Sequence, residues 1–207
     1  VEVVLLEASQ RLGGKIRTET ADGAIVETGP DSFITTKPEM IELVKELGLS
    51  NVRIAVVTNS TYDGLCYNAE MVTAVVADQV DALHFDEAWY AYAAFHEFYA
   101  GRHAMGVPRG HARADHTLVF ATQSTHKLLA AFSQASMIHV QESQKRKIDT
   151  TRFNDAFMMH GSTSPHYGII ASLDVSSAMM EGASGRSIVQ ETHDEAMHFR
   201  SALAGIG

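Results

Sequence analysis

The residues best suited to chemistry are four consecutive polar side chains, Ser-Thr-His-Lys at residues 124–127, which follow a short apolar run at residues 118–121. A lysine amine can condense with the aldehyde of pyridoxal phosphate, and hydroxyl and imidazole groups beside it can hold the cofactor phosphate. Further upstream, Asp86 ends another apolar run and could pair with the pyridine nitrogen. A lysine and an acid in these two roles are what a pyridoxal-phosphate enzyme needs.

Alternating strand-like and helix-like segments indicate an α/β fold with a mostly parallel sheet, which would position the lysine and the acid. The predicted strands cover residues 54–58, 83–85, 118–121 and 135–140, and the predicted helices cover residues 69–80, 166–182 and 187–204. Ligands in open α/β sheets bind beyond the carboxyl ends of the strands, and Asp86 and Lys127 would lie at such ends. The helix predicted over residues 166–182 is apolar enough to be largely buried.

Four stretches of sequence carry a resemblance to a known family. They are VTNSTYDGLCYNA (57–69), LHFDEAWYAYAAF (83–95), FATQSTHKLLAAFSQASMIHV (120–140) and FNDAFMMHGSTSPHYGIIASLDVSSAMMEG (153–182). In these stretches the chain resembles the bacterial Orn/Lys/Arg decarboxylases. The resemblance implies a large domain of the fold-type-I, aspartate-aminotransferase-like class, with pyridoxal 5'-phosphate as cofactor. It also implies an amino-acid substrate (arginine, lysine or ornithine) and a homodimer or higher homo-oligomer.

The same resemblance implies roles for individual residues. Lys127 would form the Schiff base, Asp86 would keep the ring nitrogen protonated, and His126 would join them in the catalytic set. The other implied contacts are Ser124 and His126 with the phosphate, Ala88 and Trp89 with the ring and substrate channel, and Thr163 in a loop near the phosphate.

Ordinary structural roles compete with some of these assignments. Asp86 could serve as a helix N-cap or in a buried ion pair, and Trp89 could be a plain core residue. Hydroxyls around Thr163 could cap the helix that follows. The chain has eleven histidines, but they do not indicate a metal site, because the spacing of His96, His103, His111 and His116 fits no compact ligand pattern and no cysteine or clustered carboxylate accompanies them.

The first fifty residues show a different pattern. An apolar run at residues 1–6 is closed by Glu7, and a glycine pair follows. In dinucleotide-binding folds such an acid binds the ribose, and glycines let the backbone approach the pyrophosphate. The stretches EASQRLGGKIRT (7–18) and ETGPDSF (27–33) resemble the FAD-dependent protoporphyrinogen oxidases. This resemblance implies FAD contacts at Glu7, Arg11, Gly13, Gly14 and Lys15.

The two resemblances meet near residues 50–52. They predict a Rossmann-like FAD-binding fragment over residues 1–50 and a decarboxylase large-domain fragment over residues 51–207. The glycine-rich phosphate loop of the first family should precede residue 1, and the phosphate-gripping loop of the second is missing, so weak or absent activity is expected. The joining of unrelated fragments favours a chimera. A flavin oxidase and a non-catalytic chimera are the alternatives to a decarboxylase.

Composition excludes several classes of partner. The formal net charge of −9 argues against nucleic acid and against anionic membrane surfaces. No apolar stretch approaches the length of a membrane span. The single cysteine, Cys66, rules out an internal disulfide and fits a reducing compartment, so a cytoplasmic protein is expected.

Overall fold

The computed structural model describes residues 18–21, 24–27, 53–62, 64–108, 115–162 and 164–205. The chain divides into two compact units, Val1–Phe33 and Ile34–Gly207. In the smaller unit, strands β1 (Thr18–Ala21) and β2 (Ala24–Glu27) form an antiparallel two-stranded sheet. The larger unit holds the α/β structure that the sequence predicts.

A four-stranded sheet organises the larger unit. Its strands, in spatial order, are β3 (Ile54–Thr58), β4 (Ala82–Asp86), β5 (Leu118–Gln123) and β6 (Met137–Gln141). Strands β3, β4 and β5 are parallel, and their register places Thr58, Asp86 and Thr122 side by side. The carboxyl ends of three strands therefore meet at one edge of the sheet, which confirms the predicted arrangement.

Strand β6 departs from this parallel pattern. It pairs antiparallel with β5, with Gln123 opposite Met137. A parallel return needs a long crossover connection, usually a full helix. The connection from β5 to β6 contains only the single helical turn Thr125–Leu128, so the chain folds back directly.

Within the described residues of the larger unit, the helices are α1 (Ala69–Val76), α2 (Thr125–Leu128), α3 (Thr150–His160), α4 (Tyr167–Met179) and α5 (Gly182–Ala204). Short 3₁₀ turns cover Ala77–Gln79, Ala93–Phe95, Glu97–Tyr99 and Ala104–Gly106. Helix α3 is not among the predicted helices; the Asp149 side chain caps it by accepting hydrogen bonds from the backbone N–H groups of Thr151 and Arg152. Within the described ranges, no helix combines the length and the apolar character needed to cross a lipid bilayer.

The main core lies around strand β4. Leu83 and Phe85 are completely buried, since alternate side chains of the strand point to the same face. They belong to one apolar cluster with residues of β3, β5 and α1, among them Val57, Val119, Val72 and Val76. A second cluster joins the segment after β4 to the C-terminal helices through Tyr90, Ala93, Tyr99, Met180 and Val189.

Helix α4 is much more exposed than its sequence predicts. Only Ser172 and Ser176 are buried, whereas Ile170, Val175 and Met179 are exposed. The expectation of a largely buried helix is therefore wrong for the described structure. Apolar side chains occur on several sides of this helix, so contact along one side cannot bury them all.

The core makes a direct prediction about stability. Replacing the fully buried Leu83 by alanine should lower the free energy of unfolding by about 2–5 kcal/mol, because the substitution removes buried apolar atoms and leaves a cavity. The control is Leu65→Ala, since that side chain is 66% exposed; its effect should stay within about 0.5 kcal/mol. Urea denaturation followed by circular dichroism measures both, and equal effects would contradict the described core.

Candidate functional site

A cavity opens at the edge where the parallel strands end. Its volume is about 460 Å³. Asp86 and Ala88 line it from the end of β4, Ser124 from the end of β5, Ile138 from β6 and Phe157 from helix α3. The structure thus brings together three of the residues that the sequence predicts to bind a cofactor.

Asp86 is the acid of this cavity. It is the last residue of β4, and its side chain is partly buried. Its Oδ1 accepts a hydrogen bond from the backbone N–H of Ala88 at 3.2 Å. Among the described residues no donor reaches Oδ2, so this oxygen is available to a ligand.

Lys127 is not among the residues that line the cavity, although Ser124, three residues before it, is. It belongs to the helical turn α2, and its Nζ lies 4.7 Å from the centroid of the Trp89 ring. A cation over the face of an indole ring is held by the ring's electrostatic quadrupole. Tyr62 in turn packs edge-on against Trp89, with 5.5 Å between ring centroids. Trp89 is therefore a partly exposed platform for the lysine and not a plain core residue.

The side chains around Lys127 are fixed to different degrees. His126 Nδ1 donates a hydrogen bond to the carbonyl oxygen of Ala135 at 2.8 Å, which leaves Nε2 for another partner. Ser124 occupies the N-cap position of α2, but its hydroxyl makes no capping hydrogen bond. The Thr125 hydroxyl is buried and has no hydrogen-bond partner among the described residues.

Glu87 is a buried acid that the sequence analysis misses. It is completely buried, and its carboxylate accepts hydrogen bonds from Asn59, Gln123 and the backbone N–H of Ala104. Burial raises the pKa of Glu87 above its ordinary value, and the three hydrogen bonds oppose this shift. The alternation of side chains along β4 could have identified Glu87 as buried, because Leu83, Phe85 and Glu87 lie on the same buried face.

Two histidines of the sheet lie close to these acids. His84 Nε2 is 3.0 Å from the Thr122 hydroxyl, and His139 Nε2 is 3.1 Å from Oε1 of Gln123. Burial lowers the pKa of both rings below the ordinary value; for His84, the nearby charge of Asp86 partly opposes the effect. Both rings therefore favour the neutral form.

The groups at this edge fit pyridoxal phosphate. Asp86 Oδ2, to which no described residue donates, suits a protonated pyridine nitrogen, and the helical turn with Lys127 begins at Ser124, which lines the cavity. The unpartnered buried hydroxyl of Thr125 is a further polar group in the segment that would meet the phosphate. The chemistry of this set is that of a cofactor site that combines one acid, one amine and short polar side chains.

The remaining predicted site residues lie outside the described part of the chain. They are Thr163 and the FAD contacts Glu7, Arg11, Gly13, Gly14 and Lys15. Among the described residues, no group of three or more His, Cys, Asp or Glu side chains is arranged to hold a metal ion.

Two protein-family models match the chain. The model of the Orn/Lys/Arg decarboxylase major domain matches residues 25–206, and that of an NAD(P)-binding Rossmann-like domain matches residues 1–47. The second match is a coarser finding than the predicted resemblance to FAD-dependent oxidases. The two matches overlap and do not divide the chain near residue 51, so that boundary stays a prediction, and the idea of a chimera gains no support from them.

Individual relatives agree with the first family. The chain is 69% identical over 155 residues to the lysine decarboxylase LdcA of Pseudomonas aeruginosa, covering 75% of this chain and 20% of the relative. It is 52% identical over 163 residues to the biodegradative arginine decarboxylase of Escherichia coli, covering 78% of this chain and 21% of the relative. The chain thus spans about a fifth of the length of these relatives.

Solved structures show the same likeness. A structure of lysine decarboxylase A from Pseudomonas aeruginosa superposes with a TM-score of 0.73 at 58% sequence identity, covering 86% of this chain and 24% of that one. A Francisella novicida lysine decarboxylase gives a TM-score of 0.68 at 39% identity, covering 92% and 25% of the two chains. The α/β class predicted from sequence is confirmed. By sequence, by structure and by the family model, the chain belongs to the Orn/Lys/Arg decarboxylase family.

Proposed function

We propose that this chain forms the cofactor-binding core of a pyridoxal-phosphate-dependent decarboxylase for a basic amino acid, with lysine as the favoured substrate. The observation that supports the proposal is the position of Asp86, which lines a cavity together with Ser124, the N-cap residue of the helical turn that contains Lys127; no described residue donates to its Oδ2. Lysine is favoured because the 69% identical relative is a lysine decarboxylase, whereas the arginine decarboxylase is 52% identical.

Each residue at the edge of the sheet has a proposed task. Pyridoxal phosphate, when bound, supplies an electron-withdrawing ring that accepts the electron pair left on the α-carbon as CO₂ departs. Asp86 would hold a proton on the ring nitrogen through Oδ2. Lys127 would attach the cofactor through Nζ and move a proton at the α-carbon. The Ser124 hydroxyl and His126 Nε2 would bind the phosphate.

Two apolar neighbours would complete the site. Ala88 lines the cavity and Trp89, the next residue, contacts the Lys127 amine, so both would pack against the cofactor ring and the substrate channel. Thr163 would join the phosphate contacts from the loop before α4. We also propose a homodimer or higher homo-oligomer and a cytoplasmic location, for which the family membership and the single cysteine are the support. The FAD contacts stay predictions, with the Rossmann-like match over residues 1–47 as their support.

Covalent labelling tests the role of Lys127. After incubation with pyridoxal phosphate and reduction with borohydride, peptide mass spectrometry should find the pyridoxyl group on Lys127, because a lysine near the cofactor aldehyde reacts before distant ones. The variant K127A should lose this label.

The matched control is K145A, since Lys145 pairs with Asp115 on the surface and should not affect the label. Equal labelling of all lysines in the unchanged chain would contradict the proposal. In parallel, release of labelled CO₂ from carboxyl-labelled lysine, arginine and ornithine measures the substrate preference directly.

The role of Asp86 can be tested through cofactor affinity. The variant D86N should bind pyridoxal phosphate about 10-fold to 100-fold more weakly, because a hydrogen bond between two charged groups contributes about 1.5–3 kcal/mol. Quenching of Trp89, the single tryptophan of the chain, reports the binding. The control is D78N, which changes an exposed acid in the 3₁₀ turn after α1. Equal affinities of D86N and D78N would rule out a contact between Asp86 and the cofactor.

A further inference from the structure

We propose that Glu87 is a positioning residue for the cofactor site: its buried carboxylate ties together the ends of β3, β4 and β5 and thereby fixes the direction of Asp86. The inference rests on the proposed function, because it assigns Asp86 a ligand to hold. Glu87 itself would touch neither the cofactor nor the substrate, since its side chain points into the protein.

The surroundings of Glu87 are unusual for a carboxylate. The side chain is completely buried, and none of the described ion pairs includes it. Removing a carboxylate from water without a cation is costly unless hydrogen bonds replace the lost solvation. Three neutral donors do so here, and they come from three separate segments of the chain.

These three donors connect distant parts of the fold. Asn59 follows β3 and donates through Nδ2 to Oε1 of Glu87 at 3.1 Å. The backbone N–H of Ala104 donates to the same oxygen at 2.7 Å. Gln123, the last residue of β5, donates through Nε2 to Oε2 at 3.2 Å. The Glu87 carboxylate thus links the end of β4 to three other places. They are the residue after β3, the last residue of β5 and the first residue of the 3₁₀ turn Ala104–Gly106.

The partners of Glu87 are themselves fixed. The completely buried Asn59 accepts a hydrogen bond from the backbone N–H of Tyr67 at 3.0 Å and donates to the carbonyl of Arg102 at 2.9 Å. The other end of the Gln123 amide accepts a hydrogen bond from His139 of β6 at 3.1 Å. A polar chain therefore runs from Asn59 through Glu87 and Gln123 to His139, from the end of β3 to β6.

The backbone transmits this anchoring to Asp86. The carbonyl of Asp86 accepts a hydrogen bond from the N–H of Asn59 at 2.8 Å, and the N–H of Glu87 donates to the carbonyl of Thr122 at 2.9 Å. Successive side chains of a strand point to opposite faces. Fixing Glu87 on the inner face therefore fixes Asp86 on the face of the cavity.

An exchange of two side chains tests the proposal. In E87Q the new amide nitrogen replaces Oε2 and faces the donor Nε2 of Gln123, so two donors meet. In Q123E a second buried carboxylate faces Glu87. The double variant E87Q/Q123E restores one donor opposite one acceptor and still leaves an acceptor for His139. The control is E97Q, which changes an exposed acid of a neighbouring 3₁₀ turn.

Two measurements follow the exchange. The first is hydrogen exchange at the backbone N–H of Ala88, which reports the contact with Asp86 in the absence of cofactor. The second is the affinity for pyridoxal phosphate, measured by quenching of Trp89. Each single variant should accelerate exchange at Ala88, because an unsatisfied buried group disturbs the strand end. E87Q should also weaken binding by about tenfold. Binding is not compared for variants of Gln123, because Gln123 itself lines the cavity. The double variant should return the exchange rate at Ala88 to within about threefold of the unchanged chain, and E97Q should alter neither exchange nor binding.

The outcomes separate this inference from the proposed function. Unchanged exchange at Ala88 in the single variants, or a double variant no better than the single ones, would overturn the positioning role. If the unchanged chain fails to bind pyridoxal phosphate, the proposed function fails, whereas exchange at Ala88 still decides the role of Glu87. Should E87Q not fold, Q123M removes one donor to Glu87 and the acceptor of His139, and it leaves the other two donors to Glu87 in place. Faster exchange at Ala88 in Q123M would then support the inference, and unchanged exchange would refute it.

Discussion

Glu87 is a buried carboxylate with no ion pair to any residue that the structure describes, so it requires hydrogen-bond donors around it, and this requirement organises the edge of the sheet. Its three donors belong to segments that lie far apart in sequence, so the acid is satisfied only when β3, β4 and β5 are aligned. The apolar core below, formed around Leu83 and Phe85, supplies the burial that makes this alignment necessary. Hydrophobic packing and polar satisfaction thus favour the same register.

The candidate cavity lies at the same strand ends, on the face opposite the Glu87 side chain. Asp86 and Glu87 are neighbours in sequence, yet one faces the cavity and the other faces the interior. Lys127 lies in the helical turn after β5, and its amine contacts the face of the Trp89 ring. The candidate site therefore combines an acid at a strand end with a lysine on a short helical turn.

Much of this arrangement can be predicted from the sequence, and the misses have physical causes. Strand periodicity and the acid at the end of an apolar run identify the strands and place Asp86 and Lys127 at one edge. The direction of β6 is not predictable in this way, because it depends on the length and form of a connection. Glu87 escapes notice because its role depends on donors from distant segments. The exposure of α4 is missed because an apolar composition does not say what packs against it.

The polar chain across the sheet has a consequence for a ring far from the acid. The ionised Glu87 carboxylate only accepts, so the Gln123 amide turns its nitrogen toward it and its oxygen toward β6. That oxygen can be satisfied by His139 only if Nε2 bears the hydrogen. Glu87 at the end of β4 thereby selects the tautomer of His139 on β6. The selection passes through Gln123, which donates to Glu87 and must accept from His139.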